Sequence, residues 1–312
     1  MSNSSETIKY YTPETIAEAI EIFEKNIDAT YISGGTDIMV NKQQGNVVSN
    51  CFVDLSNISE IMCSKPDGGY YKIGAAVKLS DIISDNFITE NFRIVSDAAK
   101  SVASPLIRNQ ATIGGNILCE NRCIFYNQSE LWRESAGYCL KCGGDVCIAT
   151  GGKKLCLSKF VSDIAPALIS LNAKVILAVD DTERIIPLEE LYSGDGINSK
   201  NVEKSTILKS ILLPLNKNFT SSFRKLRQRK TLEFTSLTMA ISADADSNII
   251  IAISGVAPKP VVVKTKRGEE FDVIYKEVNK KAKIINNDFF DRQYRSTMLK
   301  TYMSDCLKEI NF

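Results

Sequence analysis

Apolar side chains recur at i, i+3, i+4, i+7 and i+11 through Ile16, Ala19, Ile20, Phe23 and Ile27, the spacing that draws one face on a 3.6-residue helix. Thr12 is placed to cap this helix, with Pro13 in its first position and Glu14 where the helix dipole favours an anion. The pattern then shortens. Thr30-Tyr31-Ile32 predicts a buried strand ended by Gly34-Gly35, and Phe52-Val53-Asp54-Leu55 a second strand closing a unit over residues 1–55. Tyr70 to Gly74 predicts another strand. Phe92 to Val102 predicts a helix with Ile94, Val95, Ala98, Ala99 and Val102 inward, followed by Pro105, Arg108-Asn109-Gln110 and a turn at Gly114-Gly115-Asn116.

Across residues 119–158 periodicity fades and glycine is frequent (Gly137, Gly143, Gly144, Gly151, Gly152). This predicts an irregular loop, and a loop of such length is uncommon unless something orders it. A bound metal centre would do so. Regular patterning resumes with a helix at Ala165–Leu171, a strand at Val175–Val179 and a strand at Ile207–Leu215. Asn216-Lys217-Asn218 divides residues 1–216 (subdomains 1–55 and 56–216) from 217–312. The latter part predicts strands near 223–228, 237–243 and 249–256, a helix near 269–281, and a last helix placing Leu299, Tyr302, Met303, Cys306 and Ile310 together. The class expected is α+β, a two-part domain followed by a smaller αβ domain.

At 312 residues, 44% apolar and 24% charged, the chain can bury a core, and its net charge of +1 argues against a whole-molecule grip on nucleic acid or an anionic membrane. No apolar run approaches a membrane span, and Met1 to Glu6 lacks the layout of a secretion signal, so a cytoplasmic chain is expected. Histidine is absent. That removes Ser-His-Asp and Cys-His catalysis and every His-based metal site. Of nine cysteines, six (Cys119, Cys123, Cys139, Cys142, Cys147, Cys156) fall in the irregular stretch, and in a reducing compartment they are not expected to be disulfides.

Four constellations carry candidate chemistry. Ser33-Gly34-Gly35-Thr36-Asp37 follows a strand, where successive backbone N–H groups can face a phosphate. It is neither a Rossmann fingerprint nor a P-loop. Thr112-Ile113-Gly114-Gly115-Asn116 is a second Gly pair flanked by a hydroxyl and an amide. Either alone reads as a tight turn; together they point to a shared dinucleotide. The cysteines leave zinc, an iron–sulfur cluster and unligated thiols open, although only Cys139-Leu140-Lys141-Cys142 has the tight knuckle of a zinc ribbon. Lys225, Arg227 and Arg229 would share one face of a strand, forming either a solvated edge or a cationic stripe toward an anion or a partner subunit.

Tyr31–Ile38, Arg108–Asn116 and Ser162-Asp163-Ile164-Ala165-Pro166-Ala167-Leu168 occur in order, and together they resemble the FAD-binding (medium) subunits of the xanthine dehydrogenase family of molybdenum hydroxylases. The insertion, with Arg122-Cys123, Tyr126-Asn127-Gln128-Ser129 and Tyr138-Cys139-Leu140-Lys141, resembles that of the 4-hydroxybenzoyl-CoA reductase β subunits within this family. The resemblance implies FAD held by Ser33, Gly34, Gly35, Thr36 and Asp37 at the pyrophosphate and by Thr112, Gly115 and Asn116 on the flavin's other side. It places Asp163 at the sugar or adenine side, Leu208 near the isoalloxazine, and Lys225 approaching the flavin. It also implies a [4Fe–4S] cluster on Cys123, Cys139, Cys147 and Cys156, with Cys119 and Cys142 as non-ligating neighbours. No catalytic acid or base is demanded of the chain. The implied partners are a molybdopterin-binding large subunit, a small subunit with two [2Fe–2S] clusters, and a ferredoxin as electron donor. The implied activity is reductive removal of a phenolic hydroxyl from an aromatic CoA thioester. An oxidative hydroxylase or aldehyde dehydrogenase subunit is the rival within the family, and a zinc-stabilised binding module the rival outside it.

Overall fold

Three parallel strands form the first layer of the protein, whose computed structural model describes residues 7–180 and 182–312. They are β1 (Lys9–Tyr11), β2 (Ala29–Ile32) and β3 (Cys51–Asp54), in the order β1-β3-β2, with helices α1 (Ile16–Lys25) and α2 (Ile38–Gln43) in the connections. α1 buries Ile16, Ala19 and Ile20 against Val53 and Ile58, as its spacing predicts. Its cap differs. Thr15, not Thr12, accepts a hydrogen bond from the Glu18 N–H at 3.2 Å, and Ile27 lies beyond the helix, fully exposed.

The second sheet is antiparallel, ordered β4-β5-β8-β6-β7. Its strands β4 (Ser64–Asp67) and β5 (Tyr70–Gly74) precede a run of short helices: α3 (Leu79–Ser84), α4 (Asn86–Asn91), α5 (Arg93–Ser101), α6 (Pro105–Arg108) and α7 (Ile113–Ile117). Next come α8 (Glu130–Ser135), α9 (Ile164–Ser170) and strands β6 (Lys174–Val179), β7 (Thr182–Pro187) and β8 (Ile207–Pro214). Every residue of α9 is buried, as an all-round apolar helix must be, because it lies between α5 and a third sheet.

That sheet is a meander of β9 (Phe219–Leu226), β10 (Leu237–Asp244), β11 (Asn248–Ser254) and β12 (Val261–Lys266). Alternation along β10 sends Met239, Ile241 and Ala243 into a core with α10 (Phe271–Lys281) and α11 (Arg292–Glu309), while Ala240 joins the core containing α9. Cys306 is part of the former core. The expected α+β class holds. Strands β1, β4, β7 and β12 are additions that periodicity does not predict, and the Gly114-Gly115 turn is instead the body of α7. The stretch expected to be irregular contains α8 and a 3-10 turn at Leu140–Cys142.

Candidate functional site

Two chain reversals meet backbone to backbone beneath a cleft of about 840 Å³. The first runs from Ser33 to Asp37 after β2; the second is the capped start of α7, where Thr112 Oγ1 accepts from the Gly115 N–H at 3.1 Å. Gly34 is required by this meeting, since a Cβ there would lie 2.1 Å from the Gln110 carbonyl oxygen. Gly35 is required by its left-handed backbone, φ +68°. A Cβ on Gly115 would meet only Thr112 Oγ1, at 3.1 Å. Ser33, Gly34, Gly35, Thr36, Asp37, Thr112, Gly115, Asn116, Asp163 and Leu208 all line this one cleft. The buried Ser33 Oγ has no hydrogen-bond partner within the chain. An unpartnered hydroxyl and an open glycine above crowded backbone fit a pyrophosphate-bearing ligand.

Lys225 does not reach the cleft. β9 is an edge strand that ends at Leu226, and Lys225 and Arg227 share a side, but both point inward rather than to solvent. Lys225 Nζ is buried and donates to Asp163 Oδ2 at 2.5 Å, to the Ser101 carbonyl at 3.1 Å and to the Glu233 carbonyl at 3.2 Å. Arg227 donates to the same Ser101 carbonyl, and Arg229 pairs with Glu233. Asp163 lines the cleft, yet its carboxylate is taken up by Lys225 and by Thr238 Oγ1 at 2.9 Å. Burial raises the Asp163 pKa against the pull of Lys225. These groups tie the cleft wall to the third sheet.

Cys123, Cys139, Cys147 and Cys156 line a second, smaller pocket with Tyr126, Lys141 and Ser158. Cys142 does not line it, although its sulfur is 3.4 Å from that of Cys139. Among the described residues no three or more His, Cys, Asp or Glu side chains are grouped so as to hold a single metal ion. Four thiols lining one pocket supply the donor set that an iron–sulfur centre takes. Burial pushes the Cys123 thiol up to about 11 and the Tyr126 hydroxyl up to about 12. Cys123 and Tyr126 line both the pocket and the cleft, and so form the wall between them.

Several residues at this junction escape sequence reasoning. Arg122 pairs with Asp37, donates to Asn41 Oδ1 at 3.0 Å, and lies 4.5 Å from the centre of the Phe234 ring. Burial nonetheless pushes the Asp37 pKa up, Arg122 opposing it. Lys159 forms a wholly interior pair with Asp288 and donates to the Thr235 carbonyl at 2.8 Å. A lone Lys beside the apolar run Phe160-Val161 is the one signal the sequence held for it; Asp288 carried none.

Residues 6–216 match the sequence family described as FAD binding domain in molybdopterin dehydrogenase. The chain is 26% identical over 267 residues to the aldehyde oxidoreductase FAD-binding subunit PaoB of Escherichia coli (strain K12), covering 80% of this chain and 82% of that one. It is 23% identical over 257 residues to the carbon monoxide dehydrogenase medium chain of Hydrogenophaga pseudoflava, covering 80% and 75%. A solved carbon monoxide dehydrogenase from the same organism, lacking the Mo-pyranopterin moiety of the molybdenum cofactor, superposes with a TM-score of 0.74 over 97% of both chains at 18% identity. That likeness speaks to the fold alone.

Proposed function

We propose, since this chain belongs to the family of FAD-binding domains of molybdopterin dehydrogenases, that it is the FAD- and [4Fe–4S]-carrying electron-transfer subunit of a molybdenum-containing reductase of the 4-hydroxybenzoyl-CoA reductase type. The observation that carries this reading is the shared wall: four thiols around one pocket, separated from the cleft by Cys123 and Tyr126. Bound FAD would supply electron uptake and release in ones or twos, and a cluster would supply one-electron exchange.

The chain's own residues bind, orient and insulate. Ser33 to Asp37 offer the pyrophosphate the Ser33 hydroxyl and the N–H groups of a glycine turn, while Thr112, Gly115 and Asn116 bound the flavin's other side. Leu208, buried beside the cleft, offers an apolar contact to the isoalloxazine. Asp163 keeps its place in the cleft wall through Lys225, which is thus a positioning residue. Cys123, Cys139, Cys147 and Cys156 are the cluster ligands. The partners proposed are a molybdopterin-binding large subunit, a small subunit with two [2Fe–2S] clusters and a ferredoxin, all in the cytoplasm. Among the described residues no helix is long and apolar enough to cross a membrane.

A second reading has its own support. The relatives carry names of oxidative enzymes, aldehyde oxidoreductase and carbon monoxide dehydrogenase among them, which favours a hydroxylase subunit passing electrons outward. Anaerobic purification of the native complex separates the readings. Flavin with iron in excess of the two [2Fe–2S] clusters, and dehydroxylation of an aromatic CoA thioester with a low-potential donor, support the reductase. Flavin with aldehyde or purine oxidation and no such dehydroxylation supports the hydroxylase. A colourless protein holding one zinc per chain overturns both.

A further inference from the structure

Buried cations crowd the wall between the cleft and the thiol pocket, and their counter-charges differ in how far water reaches them. Lys159 faces Asp288, and both side chains are interior, so this pair is neutral where it stands. Arg122 pairs with Asp37 on the cleft side and does not line the thiol pocket. Lys141 is different. It lines the thiol pocket with a side chain 6% exposed, while its partner Glu120, 3.0 Å away, is 52% exposed. Its ammonium also donates to the Asn121 carbonyl at 3.3 Å and lies 5.0 Å from the centre of the Tyr126 ring.

The asymmetry has an electrostatic consequence. A carboxylate in contact with water is screened, whereas an ammonium held inside acts through a much lower dielectric. The pocket therefore feels Lys141 as a net positive charge. A cluster on four thiolates is an anion that becomes more negative on reduction, and nearby charge and solvent exposure are among the factors that set its potential.

We propose that Lys141 sets the reduction potential of the cluster in the thiol pocket, holding it above the value that four thiolates alone would give. The inference rests on the reading of that pocket as a [4Fe–4S] site. Lys141 acts through space on the cluster and ligates nothing.

The test is a redox titration of the cluster signal in the anaerobically purified complex, with iron and flavin content measured on each sample. Lys141→Met is expected to lower the potential by about a tenfold change in the one-electron equilibrium, 59 mV. Lys141→Arg, which keeps the charge, is expected to return the wild-type value. Glu120→Gln, which removes a counter-charge already screened by water, is expected to move the potential upward by less than Lys141→Met moves it down. Full iron with an unchanged potential in Lys141→Met, or Lys141→Arg falling as low as Lys141→Met, overturns the inference. Should Lys141→Met lose its iron, Lys141→Gln decides: full iron with a lowered potential supports the inference, and full iron with an unchanged potential, or loss of iron here too, overturns it. Wild-type complex with no iron in this subunit overturns the pocket reading itself, and the inference with it.

Discussion

A single methyl group at Gly115 tests the cleft without testing the fold. In the free chain, a Cβ there meets only Thr112 Oγ1, at 3.1 Å, a few tenths of an ångström tighter than ordinary contact. Against this stands the gain from replacing Gly by Ala in a helix, about 1 kcal/mol. The two offset, and at roughly 2–4 °C per kcal/mol for a chain of this size the melting temperature of the Gly115→Ala apoprotein should move by less than about 4 °C. In the loaded protein the same methyl points into the cleft. Overpacking of about 1–3 kcal/mol corresponds to flavin binding weakened by roughly 5- to 150-fold.

Gly34→Ala is the control with the opposite signature. Its Cβ would sit 2.1 Å from the Gln110 carbonyl oxygen and 2.7 Å from the Gln110 carbonyl carbon, and backbone cannot rotate away as a side chain can. The two reversals must separate, so a loss of about 3 kcal/mol or more is expected, roughly 6–12 °C in the apoprotein. Gly35→Ala is less informative, because its left-handed backbone adds strain of about 1–2 kcal/mol whatever the ligand does. The assay pairs FAD titration followed by flavin fluorescence with thermal unfolding of the apoprotein. Wild-type FAD affinity in Gly115→Ala would refute the placement of the ligand over α7, and an unchanged apoprotein melting temperature in Gly34→Ala would refute the contact between the reversals.

Three further outcomes follow from the same geometry. Lys225→Met alone leaves Asp163 as an uncompensated buried charge, a loss of about 3–5 kcal/mol, whereas Asp163→Asn with Lys225→Met should recover much of it; a loss in the double variant, by thermal unfolding, no smaller than in Lys225→Met would show that the pair is not coupled. Asp244 would be raised by burial, but hydrogen bonds from Lys217 and Asn248 outweigh this and lower its pKa. Its contribution is therefore complete above the unfolded value near about 3.9 and is lost as pH falls through the lower native value. Denaturant titrations of the apoprotein from pH 5 downward should be steeper in the wild type than in Asp244→Asn, and equal slopes would exclude this origin. Cys123→Ser and Cys156→Ser should lose iron while Cys142→Ser keeps it, since only the first two line the pocket; iron analysis showing the reverse would reassign the ligands.

The elements legible in the sequence are those with one continuous buried face. α1, α5 and α9 show it at helical spacing, and β10 and β11 as apolar runs. β7 was illegible because Thr182 to Ile185 are exposed, so neither burial nor alternation marks it. β1 gains its place from pairing with β3, some 40 residues on, which local pattern cannot report. α7 was hidden because two glycines in five residues read as a turn, whereas the Thr112 cap and backbone contacts to Ala75 and Val77 hold them helical. Both glycine motifs and the cysteine cluster were visible as residue types. Lys225 shows the limit: alternation put it on a face, but its partner Asp163 is 62 residues away, and burial turned an expected surface charge into an internal tie.

The cysteine-bearing insertion extends this point from single residues to a segment. Its two ends are joined by a reciprocal pair of backbone hydrogen bonds between Arg122 and Lys159, each 2.9 Å. Because loop-closure entropy grows only logarithmically with length, an excursion closed at its base costs little more than a short loop would. The base is also fixed from outside, by Asn287 Nδ2 donating to the Leu157 carbonyl at 2.9 Å and Asn121 Nδ2 to the Pro258 carbonyl at 2.8 Å. Farther out, the buried Arg133 pairs with Glu130 and donates to the Gln128 carbonyl at 2.9 Å, and across to Asn46 Oδ1 at 2.5 Å and the Gln44 carbonyl at 3.2 Å, just beyond α2. The insertion is thus held at its base by the third-sheet region and at its outer part by the segment after α2. Those are the two regions that flank the cleft, so the position of the wall formed by Cys123 and Tyr126 is determined by the chain's own hydrogen bonds.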